Sequence, residues 1–323
     1  MNRFGHNFRI ALWGESHGPQ IGVVIDGVPP GIALAEDDFE ADLARRRAGA
    51  PGTTPRREKD TPQLVSGVYR GHTTGAPLTV VFANEAMRPE DYEVLPDRPS
   101  HADRVARERF GGMNDPRGGG HFSGRLTLAL VAAGVVAKKI LPPEAAFTTS
   151  VTEVGGCTDP TRFTEISNAA AADGDSVGGV VECRIAGIPI GWGEPFFDSV
   201  ESRIAQLLFA IPGVKGVEFG TGFAAARMRG SEHNDPILDA AGRTATNHAG
   251  GIVGGMTDGA EIVVRAAFKP TASIARPQQT YNPATGAVET LTIGGRHDVC
   301  IALRGAVVVE AAAAIALADL KRP

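Results

Sequence analysis

Apolar and polar positions divide the chain into strand-like and helix-like stretches. Phe8–Trp13 and Ile21–Val28 are apolar runs parted by a short polar segment, which predicts a hairpin. Leu64–Tyr69, Leu78–Ala83, Val177–Ile185, Gly216–Phe219 and Glu261–Phe268 read as further strands. Glu36–Arg47 predicts a helix, with acids in its first turn and three arginines in its last, matching the macrodipole at both ends. Ser123–Ile140 predicts a strongly apolar helix with Ser123 as N-cap, stopped by Pro142-Pro143. Ser199–Ala210 and Ala306–Leu320 predict two more. Ala48–Thr61 and Asn84–His101 read as long polar loops. There is no steady βαβ rhythm and no tandem repeat, which favours an α+β fold with antiparallel sheets flanked by helices. No linker forces a split, so residues 1–323 are expected to form one large domain.

Composition narrows the class. The 323 residues are 42% hydrophobic and 21% charged, a globular profile, and aromatics at 6% leave the core to Val, Ile, Leu and Ala. The net charge of −5 argues against general nucleic-acid binding. Arginine is nonetheless clustered, at Arg45-Arg46-Arg47, Arg56-Arg57 and Arg104, Arg107 and Arg109. Local arginine in an acidic chain suits a small polyanionic ligand, although each cluster alone also fits a solvated face. Cys157, Cys183 and Cys300 form no C-x-x-C pattern, which fits a reducing cytoplasm rather than a disulfide frame. The first residues lack the apolar stretch of a signal peptide. Ala306–Leu320, interrupted by Glu310 and Asp319, is too short and too charged to span a bilayer.

Several polar segments carry candidate chemistry. Gly14-Glu15-Ser16-His17-Gly18 puts an acid, a hydroxyl and an imidazole on the predicted hairpin turn. Imidazole there fits proton transfer, or equally a cap on a backbone carbonyl. Gly118-Gly119-Gly120, flanked by Arg117 and Arg125, leads into the helix capped by Ser123. Such a turn lets backbone N–H groups and the helix dipole meet an anion, or is simply a loop. Arg98-Pro99-Ser100-His101-Ala102-Asp103 and Arg296-His297-Asp298 place two more imidazoles in loops. Lys269-Pro270-Thr271-Ala272-Ser273 joins a cation to hydroxyls. Asn247–Gly255 is glycine-rich and suggests a flat surface for a planar ligand or another backbone. Gly220–Ala225 matches G-x-G-x-x-A, but the polar stretch after it is no dinucleotide-binding helix. There is no Walker A sequence and no H-E-x-x-H, so no metal site is expected.

In this order the segments resemble chorismate synthase, from Gly5-His6-Asn7-Phe8-Arg9 to the C-terminal helix. Gly14–Gly18 with Asp26-Gly27-Val28-Pro29-Pro30-Gly31, Arg98–Asp103, Gly118–Gly120, Asn247–Gly255 with Lys269-Pro270-Thr271, and Gly295–Asp298 carry the likeness. The resemblance implies an anti-1,4 elimination of phosphate from 5-enolpyruvylshikimate 3-phosphate. Reduced FMN is required but not consumed, and NADPH is a candidate reductant for it. It implies catalytic roles for His17, near the flavin N1 edge, His101, at the departing phosphate, and Asp298, near flavin N5 and the substrate proton. Flavin contacts carried over by position are His121, Phe122, Ser123, Pro212, Gly213, Gly254, Lys269, Pro270, Thr271, Ala272, Ser273 and Arg296. Ser16, Arg46, Arg98 and Arg125 are expected to hold the anionic substrate, since phosphate and carboxylates need arginine at close quarters. The resemblance also implies a cytoplasmic homotetramer.

Two departures stand out. The family's usual basic, small, Ser after the glycines is here His121-Phe122-Ser123. Ala48–Thr54 is one residue short and lacks a basic residue, whose contact is expected to fall to Arg56 or Arg57 or to be lost. Two rival readings remain open: an FMN-dependent oxidoreductase acting on a phosphorylated acid, and a binding scaffold without activity.

Overall fold

The computed structural model describes residues 2–49, 52–54, 58–85, 97–294 and 297–321. Two antiparallel sheets enclose a layer of helices. The first sheet takes β1 (Arg3–Phe4), β2 (Arg9–Gly14), β3 (Gln20–Asp26), β4 (Gln63–Ser66) and β7 (Leu78–Ala83), in the order β1-β2-β3-β7-β4, with β5 (Val68–Tyr69) and β6 (His72–Thr73) as a side hairpin. The second takes β8 (Ala146–Val154), β9 (Gly179–Ala186), β10 (Val214–Phe219) and β13 (Ile262–Phe268), in the order β10-β13-β9-β8. Two hairpins stand outside: β11 (Ile252–Val253) with β12 (Met256–Thr257), and β14 (Gln278–Asn282) with β15 (Ala287–Leu291). The helices are α1 (Glu40–Arg46), α2 (Asp103–Phe110), α3 (Thr127–Ile140), α4 (Phe163–Ala172), α5 (Val200–Ala210), α6 (Gly230–His233) and α7 (Ala302–Leu320).

The sandwich follows from the two apolar helices. α3 and α7 carry small and aliphatic residues on nearly every side, so each must be covered all round. α3 packs on β2, β3 and β7, α7 on β8, β9 and β13, and the two helices on each other. A Cβ at Gly134 would lie 2.4 Å from the Ala311 Cβ, so glycine at 134 sets how closely the two helices approach. Core side chains of both sheets and the helix layer form one continuous cluster. α1 joins it through fully buried Phe39 and Leu43, each contributing roughly 1.5–3 kcal/mol. This anchoring fixes where the arginines at the end of α1 reach.

The predicted hairpin, β7, the Ser199-capped α5 and the second-sheet strands β9, β10 and β13 lie where the sequence places them. The Ser123 cap is also present, but on a 3-10 turn at Gly124–Leu126, with the α-helix starting at Thr127. Leu64–Tyr69 is broken at Gly67, which has a φ of +83°, into β4 and β5. The sequence pattern missed β8, α2, α4 and the β14–β15 hairpin, whose exposed faces dilute the apolar signal. The G-x-G-x-x-A segment does follow a strand, β10, but continues as a 3-10 turn.

Candidate active site

At one end of the helix layer lies a cavity of about 980 Å³. The β2–β3 turn, the segment leading into α3, the end of α1, the segment after β13 and the start of α7 all reach it. Its apolar wall includes Leu126, Leu130, Val214, Phe268 and Ile301, and its polar wall collects most of the residues singled out above.

The glycine triplet folds over the hairpin turn. Gly118, Gly119 and Gly120 all have positive φ, at 59°, 83° and 53°. A Cβ at 118 would sit 2.3 Å from the His17 ring and 2.9 Å from Ser16 Oγ, so only glycine lets the backbone pass. The Ser16 amide donates to the Gly120 carbonyl at 3.0 Å, and His121 Nδ1 donates to the Gly14 carbonyl at 2.8 Å. Two expectations change here. His17 is buried one layer behind Gly118 rather than on the cavity wall. Within the triplet the Gly119 amide is spent on the Pro116 carbonyl, and the Ser123 amide after it turns back onto the Gly120 carbonyl. The Ser16 hydroxyl lines the cavity, 1% exposed, with no hydrogen-bond partner among the described residues. A buried hydroxyl without a partner is costly unless a ligand completes it.

Beneath the turn three guanidiniums, of Arg46, Arg125 and Arg304, face two carboxylates, of Asp60 and Asp298. Arg125 is buried against Asp60 and Asn84. Arg46 donates from Nε to Thr127 Oγ1 at 3.0 Å and from Nη2 to the Gly124 carbonyl at 2.8 Å. Its Nη1 has no hydrogen-bond partner among the described residues and stands 3.8 Å from Asp60. Burial, then the Arg304 charge, push the Arg46 guanidinium down to about 9, against the pull of Asp60. An anion entering the cavity would relieve that strain.

On the opposite wall Asp103, at the start of α2, accepts from Arg98 Nε and Nη2 at 2.7 Å each and from His101 Nδ1 at 2.6 Å. Arg98 Nη1 reaches Ser273 Oγ at 3.1 Å. Burial would raise the Asp103 carboxyl, but the hydrogen bonds from Arg98 and His101 outweigh it and hold it well below the usual carboxylate range. Lys269 donates to the Ser100 carbonyl at 2.7 Å, and burial followed by the Lys215 charge lowers its pKa. Asp298 accepts from the Thr54 amide at 2.8 Å and from Arg304 Nη1 at 2.9 Å, and its carbonyl accepts from Thr271 Oγ1 at 2.5 Å. His297 lines the cavity beside it, and burial pushes its imidazole down.

Ser16, Arg46, Arg98, His101, His121, Phe122, Ser123, Arg125, Pro212, Gly213, Lys269, Thr271, Ala272, Ser273 and Asp298 all line this cavity. Phe122 sits partly exposed on its wall, its ring centroid 6.3 Å from that of Phe110. Pro270 and Gly254 do not line it. Gly254 forms the β11–β12 turn with Gly255, and Gly250 packs on the backbone of Gly220, so this glycine run serves backbone contacts and a tight turn. Arg296, Arg56 and Arg57 lie outside the described residues. The sequence reading gave no role to Asp60, Asn84, Asp103, Arg304 or His297. Only Asp103 and His297 carried a signal, as neighbours in motifs already noted.

A model of the family described as chorismate synthase matches residues 8–321. A chorismate synthase of Chitinophaga pinensis is 59% identical over 321 residues, covering 99% of this chain and 96% of the relative. One from Syntrophobacter fumaroxidans is 46% identical over 339 residues, covering 98% and 95%. A crystal structure of a chorismate synthase superposes with a TM-score of 0.75 at 27% identity, covering 98% of this chain and 92% of that one.

Proposed function

The chain belongs to the chorismate synthase family, and on that premise we propose how its cavity divides the work of the reaction. The activity is that of a phosphate-eliminating lyase forming chorismate. Arg46, Arg98 and Arg125 bind the phosphate and carboxylates of 5-enolpyruvylshikimate 3-phosphate, with Ser16 as a hydroxyl donor. His101 gives its proton to the departing phosphate as the C–O bond breaks and the electron pair leaves with oxygen. Asp298 assists removal of the substrate proton. His17 holds a proton behind the glycine turn.

The family uses reduced FMN, and the residues present suit it. The cavity is large enough for two small ligands, one wall is apolar and able to cover a planar ring, and Ser16 Oγ and Arg46 Nη1 await an acceptor. His121, Phe122, Ser123, Pro212, Gly213 and Lys269–Ser273 would hold it. When bound, the reduced flavin supplies transient electron density that weakens the C–O bond. The observation that carries this reading is the buried Ser16 hydroxyl, without a hydrogen-bond partner among the described residues, beside a cation-rich wall.

Anaerobic turnover with dithionite-reduced FMN tests it. One phosphate should be released per chorismate with no reduced flavin consumed. Consumption of one equivalent per turnover would favour a reductase, and no phosphate above background a scaffold. We also propose a cytoplasmic homotetramer. Exposed Ile190, Phe196, Phe197 and Val253, on adjoining segments, support burial against another copy. No helix among the described residues is long and apolar enough to cross a membrane.

A further inference from the structure

We propose that Asp103 is a positioning residue for the elimination: its carboxylate holds the Nδ1–H of His101, leaving Nε2 for the phosphate, and seats Arg98 in the same cavity wall. The inference rests on the reading of His101 as proton donor. Three contacts of 2.6–2.7 Å converge on the two oxygens of Asp103, so a single carboxylate sets both a proton donor and an anion-binding cation.

The local backbone is built for this. Asp103 Oδ2 also accepts from the Arg98 amide at 3.2 Å, the His101 amide donates to the Arg98 carbonyl at 3.2 Å, and Ser100 between them has a left-handed φ of +57°. The carboxylate therefore closes the tight turn that carries the imidazole. A Cβ on Gly119 would lie 3.5 Å from both Cε1 and Nε2 of His101, so the ring edge opposite Asp103 faces the glycine turn. A carboxylate only accepts, so it requires a proton on Nδ1 and fixes Nε2 as the nitrogen turned toward the cavity.

The charged and titratable groups around His101 come from four elements. Asp103 lies at the start of α2 and Arg98 on the incoming loop. Lys269 bonds the Ser100 carbonyl from the segment after β13, and His297 stands on the segment before α7. Asp103 is the single carboxylate that meets the His101 ring directly among the described residues.

The test uses Asp103→Asn, Asp103→Glu, His101→Gln and the double variant His101→Gln/Asp103→Asn in the full chain. In Asp103→Asn one amide edge must face either Arg98 or Nδ1 with a donor. Turnover should fall about 100-fold with a smaller rise in KM, and the alkaline limb of the rate profile should move to lower pH. Asp103→Glu should recover part of the loss. Adding Asp103→Asn to His101→Gln should cost less than about threefold more in turnover. Independently of turnover, imidazole nitrogen NMR of the unliganded protein, assigned against His101→Gln, should show Nδ1 protonated in the parent and not in Asp103→Asn above neutral pH. An unchanged Nδ1 signal with turnover within about threefold of the parent, or an equal loss of turnover in both backgrounds, would overturn the proposal. Full activity in His101→Gln would instead overturn the role given to His101 itself.

Discussion

Two charge clusters start a residue apart on α1, one from half-exposed Arg45 to buried Glu310 and one from buried Arg46, and they behave in opposite ways. Arg45 leads into the helix layer. It meets the Glu310 carboxylate through two bonds of 2.9 and 2.7 Å, and Lys138 closes the cluster onto Glu310 and Asp42. The hydrogen bonds that Arg45 donates to Glu310 raise its pKa. Burial would raise that of Glu310, but Arg45 and Lys138 outweigh it and lower it. Arg46 leads into the cavity, where burial lowers it and one N–H group has no partner. Burial of charge is common to both, so it does not mark the functional cluster. What separates the two is that, among the described residues, Ser16 Oγ and Arg46 Nη1 line the cavity without a hydrogen-bond partner, whereas the guanidinium of Arg45 meets Glu310.

The largest effects should come from groups at the reacting atoms. His101→Ala and Asp298→Ala should each lower turnover by about 10²–10⁴-fold while flavin still binds. Near-normal turnover in either would remove the cavity from the comparison. Glu310→Gln should cost about 1–2 kcal/mol of stability, read from urea unfolding, with KM unchanged, because Arg45 and Lys138 lose one of their two anions and keep Asp42. The pH dependence has a defined sign. Glu310 is depressed in the fold, so its contribution is present above its unfolded pKa and is lost as pH falls through the folded value. The stability gap between parent and Glu310→Gln should therefore close on acidification below about pH 4. The smallest effect belongs to Arg47, whose partner Glu40 is solvent-exposed. Arg47→Ala should change stability by about 1 kcal/mol or less, and a larger loss would show that the α1 terminus depends on that pair.

Much of this was legible because local patterns carry it. The hairpin, β7, α5 and α7 announce themselves by apolar periodicity and capping, and the histidine and glycine motifs by their residue types. The sequence could not show that Arg45, Arg46 and Arg47 would have three different fates, since that depends on the α1 terminus turning Arg45 to Glu310, Arg46 to Thr127 and Gly124, and Arg47 to Glu40 at the cavity edge. Asp60 and Arg304 gave no local sign, because their roles arise where a loop and a distant helix start converge. His17 was legible as chemistry but not as a buried group, since the glycine turn covering it lies a hundred residues away in the chain.

The most direct measurement is a calorimetric titration of 5-enolpyruvylshikimate 3-phosphate into Arg45→Met and Arg46→Met, alongside their melting temperatures. Arg46→Met should lose at least about tenfold in affinity with little change in melting, and Arg45→Met should melt earlier while binding within about threefold of the parent. Equal losses of affinity in the two variants, or a loss confined to Arg45→Met, would contradict the assignment of the unsatisfied cluster to the ligand.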